Sequence, residues 1–212
     1  KVKGYENPIE YLIDEGYLSK VETETIDYES KNLIFSDYEK QIILDGKSEL
    51  SDERIQQICE EEGRRALIFK KIIECSQENK DNKILVFASS VKEANLFADV
   101  LKNFNIKIFA ITDKTNSQNR NYLINEFKKP NSDVQILTNF GVLSTGFDAP
   151  KTNIAIITRP ISSVILYNQI VGRVARGTKA GGNEKCKIIQ VVDKGYGFRD
   201  LSESFLFWED IW

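Results

Sequence analysis

The sequence contains no histidine and no methionine, and its three cysteines stand apart from one another. Without histidine, Ser–His and Cys–His nucleophilic pairs are excluded, and without a CxxC pair the usual zinc sites are excluded as well. We therefore predict no metal site within this sequence. Cys59, Cys75 and Cys186 are expected to be buried, reduced thiols of a cytoplasmic protein.

Long apolar runs and an N-terminal signal peptide are also lacking. No stretch approaches the roughly 20 apolar residues that cross a bilayer, so no membrane contact is predicted. The chain starts at Lys1 and lacks an initiator methionine, which indicates a fragment of a longer protein. Its 212 residues, 41% of them hydrophobic, suffice for one domain with an appendage or for two small domains.

The net charge of −3 argues by itself against a nucleic-acid binder, but the charge is unevenly distributed. Residues 1–80 hold 12 Lys and Arg against 19 Asp and Glu, a net charge of −7. Residues 81–199 hold 17 against 9, a net charge of +8, and residues 200–212 hold 0 against 4, a net charge of −4. The basic middle predicts a phosphate-binding face there. A surface asymmetry without function is the open alternative.

Short apolar runs alternate with amphipathic segments from residue 83 onward, which predicts an α/β fold. The runs predict strands at Lys83–Ala88, Ile106–Ile111, Val134–Thr138, Asn153–Thr158 and Lys187–Val192. Helical spacing falls at Val91–Phe104 and Gln118–Lys128, and Ser162 or Ser163 can cap a further helix after Pro160. The order indicates a parallel sheet with helices on both faces, which binds ligands beyond the carboxyl ends of its strands.

The first 80 residues are less regular. A short helix is predicted at Pro8–Glu15, a strand within Tyr17–Tyr28, and a helix within Ser51–Asn79 with Gly63 as a possible break. We predict that residues 1–50 form a mixed connector, residues 51–199 the α/β domain, and residues 200–212 an aromatic and acidic tail. The tail is expected to pack on the sheet or to begin a further domain.

The segment Gln169–Gly177 carries the most specific chemistry. If a helix runs through it, Gln169, Arg173 and Arg176 occupy positions i, i+4 and i+7 on one face. Gly172 removes a side chain beside them and lets another surface approach. Two guanidinium groups and an amide suit a triphosphate whose charge must be stabilised during transfer. The alternative is an ordinary amphipathic helix end with solvated arginines.

Four segments in this order resemble motifs IV, IVa, V and VI of the second RecA-like lobe of superfamily 2 helicases and translocases. They are KILVFASS at 83–90, QNR at 118–120, TNFGVLSTGFDAP at 138–150 and QIVGRVAR at 169–176. The resemblance covers about residues 80–195 and implies an ATP-dependent motor on nucleic acid. Motif VI begins with Gln169 where DEAD-box RNA helicases have histidine, which favours DNA translocases and restriction-type or defence-associated helicases, with DNA favoured over RNA.

The resemblance also implies a role for each residue of the nucleotide site. Arg176 is the arginine finger on the γ-phosphate, Arg173 is its partner, and Gln169 senses the γ-phosphate or the attacking water. Asp148, after the turn at Gly146, contacts the nucleotide sugar or couples it to the nucleic acid, unless it only holds the loop. Gly172 belongs to the same nucleotide site.

Hydroxyls and one arginine at strand ends and helix starts are predicted to hold nucleic-acid phosphates, with little base specificity. They are Ser89, Ser90, Arg120 and Thr138. Each has a structural alternative: the serines cap the next helix, Thr138 caps a turn, and Arg120 pairs with an acidic neighbour.

No Walker A sequence and no DExx carboxylate pair is present in the sequence. ATP and Mg²⁺ are therefore expected to be held mainly by a first lobe outside this chain, and the chain alone is expected not to hydrolyse ATP. The glycine-rich segment 177–183 lacks the P-loop order and is predicted to be a hairpin-like connection. Two alternatives stay open: a non-catalytic RecA-like scaffold that binds protein or nucleic acid, and a flavodoxin-like nucleotide-binding domain.

Overall fold

A computed structural model describes residues 7–30, 32–46, 48–130, 132–141 and 149–205. Its sheet has six parallel strands in the order β1-β6-β5-β2-β4-β3. The strands are β1 Lys20–Tyr28, β2 Ile84–Phe87, β3 Ile108–Ile111, β4 Ile136–Asn139, β5 Ile154–Ile157 and β6 Lys185–Asp193. The helices are α1 Pro8–Asp14, α2 Asp37–Asp45, α3 Asp52–Cys59, α4 Glu62–Glu78, α5 Val91–Lys102, α6 Ser117–Lys128 and α7 Val164–Val174.

Helices cover both faces of the sheet, as predicted. Strands β2, β4 and β5 are buried along their whole length, because alternate side chains enter two separate apolar layers, whereas the edge strand β3 is half-buried at its two central residues. Ile84 and Val86 of β2 face α4 and α5, whereas Leu85 and Phe87 face the layer that contains residues of α1, α6 and α7. The RecA-like α/β class is confirmed by this architecture.

Local signals explain where the helices begin. Ser163, rather than Ser162, caps α7, since its hydroxyl accepts a hydrogen bond from Leu166 N at 3.4 Å. The Ser162 hydroxyl instead donates to Ser48 O at 3.0 Å. The helix predicted within Ser51–Asn79 is divided at Glu60 and Glu61, and Gly63 lies inside the first turn of α4, so the break expected at Gly63 is two residues too late.

The strand predicted in the connector belongs to the sheet. All nine residues of β1 pair with β6, from Lys20 opposite Lys185 to Tyr28 opposite Asp193. Helices α2 and α3 pack with the segment after β6 in a small third apolar cluster that includes Phe35, Ile58 and Tyr196. Part of the predicted connector is therefore built into the α/β unit.

All three cysteines are free and buried, as predicted. Burial raises the pKa of Cys59 and of Cys186 to about 12, so both side chains stay thiols at neutral pH. None of the helices in the described ranges has the length and apolar character needed to cross a membrane.

Candidate functional site

The arginine segment is not one continuous helix. Helix α7 ends at Val174, and Arg176 lies beyond it in an isolated antiparallel bridge with Leu18. The Gly177 N–H donates to Tyr17 O at 3.0 Å, which fixes the chain direction after the helix. The expected i+7 position of Arg176 on the helix face is therefore wrong, because pairing with the segment before β1 replaces the last helical turn.

The backbone of Arg176 is held from two sides. Ser19 Oγ lies 2.7 Å from the carbonyl oxygens of both Arg176 and Asn183, and its single proton can be donated to either. The Asn183 N–H donates to Arg176 O at 2.8 Å, and a Cβ on Gly182 would lie 1.8 Å from the same oxygen. The glycine-rich loop thus folds back on Arg176, and only glycine fits at residue 182.

The side chains of this segment form an accessible cationic group. Gln169, Gly172 and Arg176 are exposed and Arg173 is half-buried. Burial and then the positive charge of Arg176 lower the pKa of Arg173, so the two guanidinium groups lie within electrostatic range of each other. An anion placed against both would relieve this repulsion, which fits the phosphate chain of a nucleotide.

The described residues leave space beside these side chains. A Cβ built on Gly172, which lies in the last turn of α7, would meet none of their atoms within 4 Å. Gly146 and Asp148, the other two predicted nucleotide-site residues, lie outside the described residues, and their roles stay predictions.

The predicted site residues divide between the two ends of the sheet. Helix α7 runs from the carboxyl end of β5 to the amino end of β6, so Arg176 lies at the amino ends of β1 and β6. Ser90 and Arg120 instead lie at the starts of α5 and α6, beyond the carboxyl ends of β2 and β3. Arg176 therefore lies away from the carboxyl ends, where parallel sheets generally bind ligands, and its role in a nucleotide site stays a prediction.

Two of the predicted phosphate contacts are buried. Thr138 is 0% exposed, and its hydroxyl donates to Ala94 O of α5 at 2.8 Å. Ser89 is also buried, with its hydroxyl beside the Cys59 thiol. The structure does not support a phosphate contact by either side chain, because neither hydroxyl is at the surface.

Ser90 and Arg120 keep accessible positions and have structural contacts as well. Ser90 caps α5 by accepting from Glu93 N at 3.1 Å, which is the structural alternative considered above. The guanidinium group of Arg120 donates to Thr112 O at 3.0 Å and to Thr115 O at 3.3 Å. Arg120 thus holds the loop between β3 and α6 through backbone carbonyls, and not through an acidic neighbour among the described residues.

A buried charge cluster beneath the carboxyl ends was not predicted. Arg64 of α4 is fully buried and donates to both carboxylate oxygens of Asp193, at 2.7 and 3.1 Å. It also donates to Thr158 O and lies 3.9 Å from Glu93. Glu93 in turn accepts from Ser89 N at 2.7 Å. Arg64 therefore ties α4 to the ends of β5 and β6.

A small cavity of about 210 Å³ opens at the carboxyl ends of β2 and β4. Asn139 and Arg159 contribute its polar lining, and Phe87 and Ile170 part of its apolar lining. The Arg159 guanidinium lies 3.5 Å from Asp52. The sequence signal for Arg159 was its position directly after a strand, which is where parallel sheets present functional groups.

No group of three potential metal ligands occurs in the part of the chain that the structure describes.

Residues 63–178, more than half of the chain, match the model of a family described as helicase conserved C-terminal domain. The ATP-dependent RNA helicase has1 of Aspergillus terreus is 29% identical over 139 residues. The matched residues are 66% of this chain and 23% of that protein, so the chain spans less than a quarter of this relative.

Two solved structures show the same fold. The fragment structure of a putative HsdR subunit of a type I restriction enzyme from Vibrio vulnificus YJ016 superposes with a TM-score of 0.62 at 19% identity, over 92% of this chain and 36% of that one. The C-terminal domain of the DEAD-box protein Dbp5 superposes with a TM-score of 0.54 at 21% identity, over 68% of this chain and 79% of that one.

Proposed function

The chain belongs to the helicase conserved C-terminal domain family and is a RecA-like lobe of the superfamily 2 type, and from this premise we propose that it is the second motor lobe of an ATP-dependent nucleic-acid helicase or translocase. In this role it supplies arginines to an ATP site shared with a first lobe. The observation that carries the proposal is the electrostatic proximity of Arg173 and Arg176 at the end of α7, where Gly172 is exposed.

The nucleotide is proposed to bind against the end of α7. Bound ATP supplies the phosphoryl group whose transfer drives the motor. Arg176 is the finger on its γ-phosphate, Arg173 adds a second positive charge, and Gln169 offers an amide to the γ-phosphate or to water. Asp148, after the turn at Gly146, is proposed to contact the nucleotide sugar or to couple it to the nucleic acid. The remaining contacts to ATP and Mg²⁺ belong to the first lobe.

The nucleic-acid backbone is proposed to bind at the carboxyl end of the sheet, where α5 and α6 begin. Ser90 uses its oxygen as a helix cap and keeps a hydroxyl proton to donate to a phosphate. Arg120 and the N–H groups at the start of α6 offer further positive potential. Such contacts hold phosphates and carry little sequence information.

DNA is the proposed track. Gln169 at the start of motif VI supports this choice, and so does the fold match to a putative HsdR subunit of a type I restriction enzyme. The relative has1 is named as an RNA helicase, so RNA is the alternative track that an experiment must include.

The test is ATP hydrolysis by the full-length protein with duplex DNA, single-stranded DNA, RNA or no nucleic acid. We expect stimulation by DNA, a smaller effect of RNA, and no hydrolysis by the 212-residue chain alone, because this chain lacks Walker A and DExx sequences. If the rate of ATP hydrolysis is the same with and without nucleic acid, the motor function is contradicted and the scaffold interpretation is favoured. Stronger stimulation by RNA would contradict only the choice of track.

Replacing Gly172 with alanine is expected to have opposite effects on stability and on activity. In the isolated chain the free energy of unfolding should rise by about 0.5–1 kcal/mol, since alanine favours the helix and the new Cβ meets none of the described residues within 4 Å. In the full-length protein ATP hydrolysis should fall, because the first lobe must approach this surface. Urea unfolding and steady-state hydrolysis measure the two effects, and unchanged hydrolysis would show that nothing packs against residue 172.

A further inference from the structure

Lysines, most of them from the basic middle, gather around a second cavity, which opens at the amino end of the sheet. The cavity has a volume of about 410 Å³, and Gln135 and Asn183 contribute to its lining. Five lysines also line it, at positions where strands begin or α6 ends: Lys80, Lys83, Lys128, Lys129 and Lys151. The only carboxylate in the described lining is Asp81. A cavity with this balance of charge attracts an anion.

Lys83 is the buried member of this group. It is 7% exposed and fixed by its backbone, which donates to Asn153 Oδ1 at 2.8 Å. Its ammonium group has three N–H donors and uses one of them, toward Val134 O at 2.9 Å, while the ring of Phe127 lies 5.5 Å away. No carboxylate pairs with it among the described residues, and burial lowers its pKa.

The neighbouring charges leave most of this positive potential uncompensated. Glu126 pairs with Lys129 at 2.5 Å, and Asp133 pairs with Lys107 at 2.6 Å. In the described part of the chain, Lys80, Lys128 and Lys151 have no ion pair. A buried ammonium group with flexible lysines around it is typical of phosphate recognition. Lysine binds phosphate as a point charge and does not need the fixed planar geometry of a guanidinium group.

We propose that this cavity is an anion site that binds phosphate groups, from a nucleic-acid backbone or from a free phosphate compound. It is separate from the arginine segment and does not depend on the motor function. Asn183 lies between the two, because its side chain lines the cavity and its backbone N–H donates to Arg176 O at 2.8 Å. A phosphate in the cavity therefore lies next to the loop that holds Arg176.

The experiment follows the side-chain amide NMR signals of Gln135 and Asn183 in the 212-residue chain. Inorganic phosphate is titrated in one series and a single-stranded oligothymidylate in another. Saturable shifts are expected, and the variant K128Q/K151Q should weaken the affinity about tenfold, since it removes two exposed charge contacts. The control K70Q/K114Q removes two exposed lysines elsewhere and should leave the affinity unchanged, as should Arg176→Ala.

The two series distinguish the sources of the phosphate. Shifts with inorganic phosphate alone assign the site to free phosphate compounds, and shifts with the oligothymidylate assign it to the nucleic-acid backbone. The proposal is overturned if neither probe gives saturable shifts, or if the control lowers the affinity as much as K128Q/K151Q. A Lys83→Met variant should lower the affinity by at least tenfold if it folds. If the Lys83→Met variant does not fold, the K128Q/K151Q variant still tests the proposal.

Discussion

Replacing Arg176 with alanine is expected to lower nucleic-acid-stimulated ATP hydrolysis of the full-length protein by about 10³-fold or more, while nucleotide binding is retained. The guanidinium group is proposed to stabilise charge that develops on the γ-phosphate during transfer, and this interaction is stronger in the transition state than in the ground state. Arg176 is exposed and lies close enough to Arg173 for its positive charge to lower the pKa of Arg173.

Single-turnover hydrolysis measures this effect, and a fluorescent nucleotide measures binding separately. Arg176→Lys keeps the positive charge but loses the planar guanidinium group and its bidentate hydrogen bonds, so it should recover little of the rate of ATP hydrolysis. Arg199→Ala is the matched control, because Arg199 is an exposed arginine that donates to Leu44 O away from this segment. If Arg176→Ala hydrolyses ATP at the rate of the control, Arg176 is not the finger.

Replacing Arg64 with methionine is expected to reduce the free energy of unfolding of the 212-residue chain by about 3–5 kcal/mol. The substitution removes both hydrogen bonds to Asp193 and leaves that carboxylate buried without its counter-charge. Urea unfolding provides the measurement. Lys70→Ala, on the exposed side of the same helix, is the control and should change stability by less than about 0.5 kcal/mol.

The cost of Arg64→Met should depend on the charge of Asp193. Adding Asp193→Asn should recover part of the lost stability, because the unpaired charge is then absent. Burial raises the pKa of Asp193 in the wild-type fold, against the lowering effect of Arg64, and the pKa must rise further without Arg64. The folded variant then binds more protons than the unfolded chain, so its stability falls as pH rises. A cost equal at pH 5 and pH 8 would exclude this origin.

The sequence predicted the sheet well because most of its strands are short apolar runs that alternate with amphipathic segments. It also identified the capped start of α7. It did not predict the end of that helix, since Ala175 and Arg176 favour helix by propensity. Their conformation depends on a bridge to Leu18, which is distant in sequence. Long-range pairing of this kind leaves no periodic signal.

Burial of polar residues was the other unpredictable feature. Thr138 ends a strand as a surface hydroxyl would, yet α5 covers it and Ala94 O accepts its proton. Arg64 and Arg65 are neighbours in a charged segment, and only packing distinguishes the buried arginine from the half-buried one. Asp193 offered a weak signal, because it follows an apolar strand at the carboxyl end of the sheet.

The pairing of β1 with β6 decides where this lobe can be cut as a recombinant fragment. A protein that began at residue 51 would lose β1 and leave one side of all nine residues of β6 unpaired. Such an open sheet edge is a template for intermolecular strand addition, and we expect that fragment to aggregate. It would also lose Leu18 and Ser19, which hold the backbone of Arg176. Truncation would therefore damage solubility and the arginine site through the same short segment.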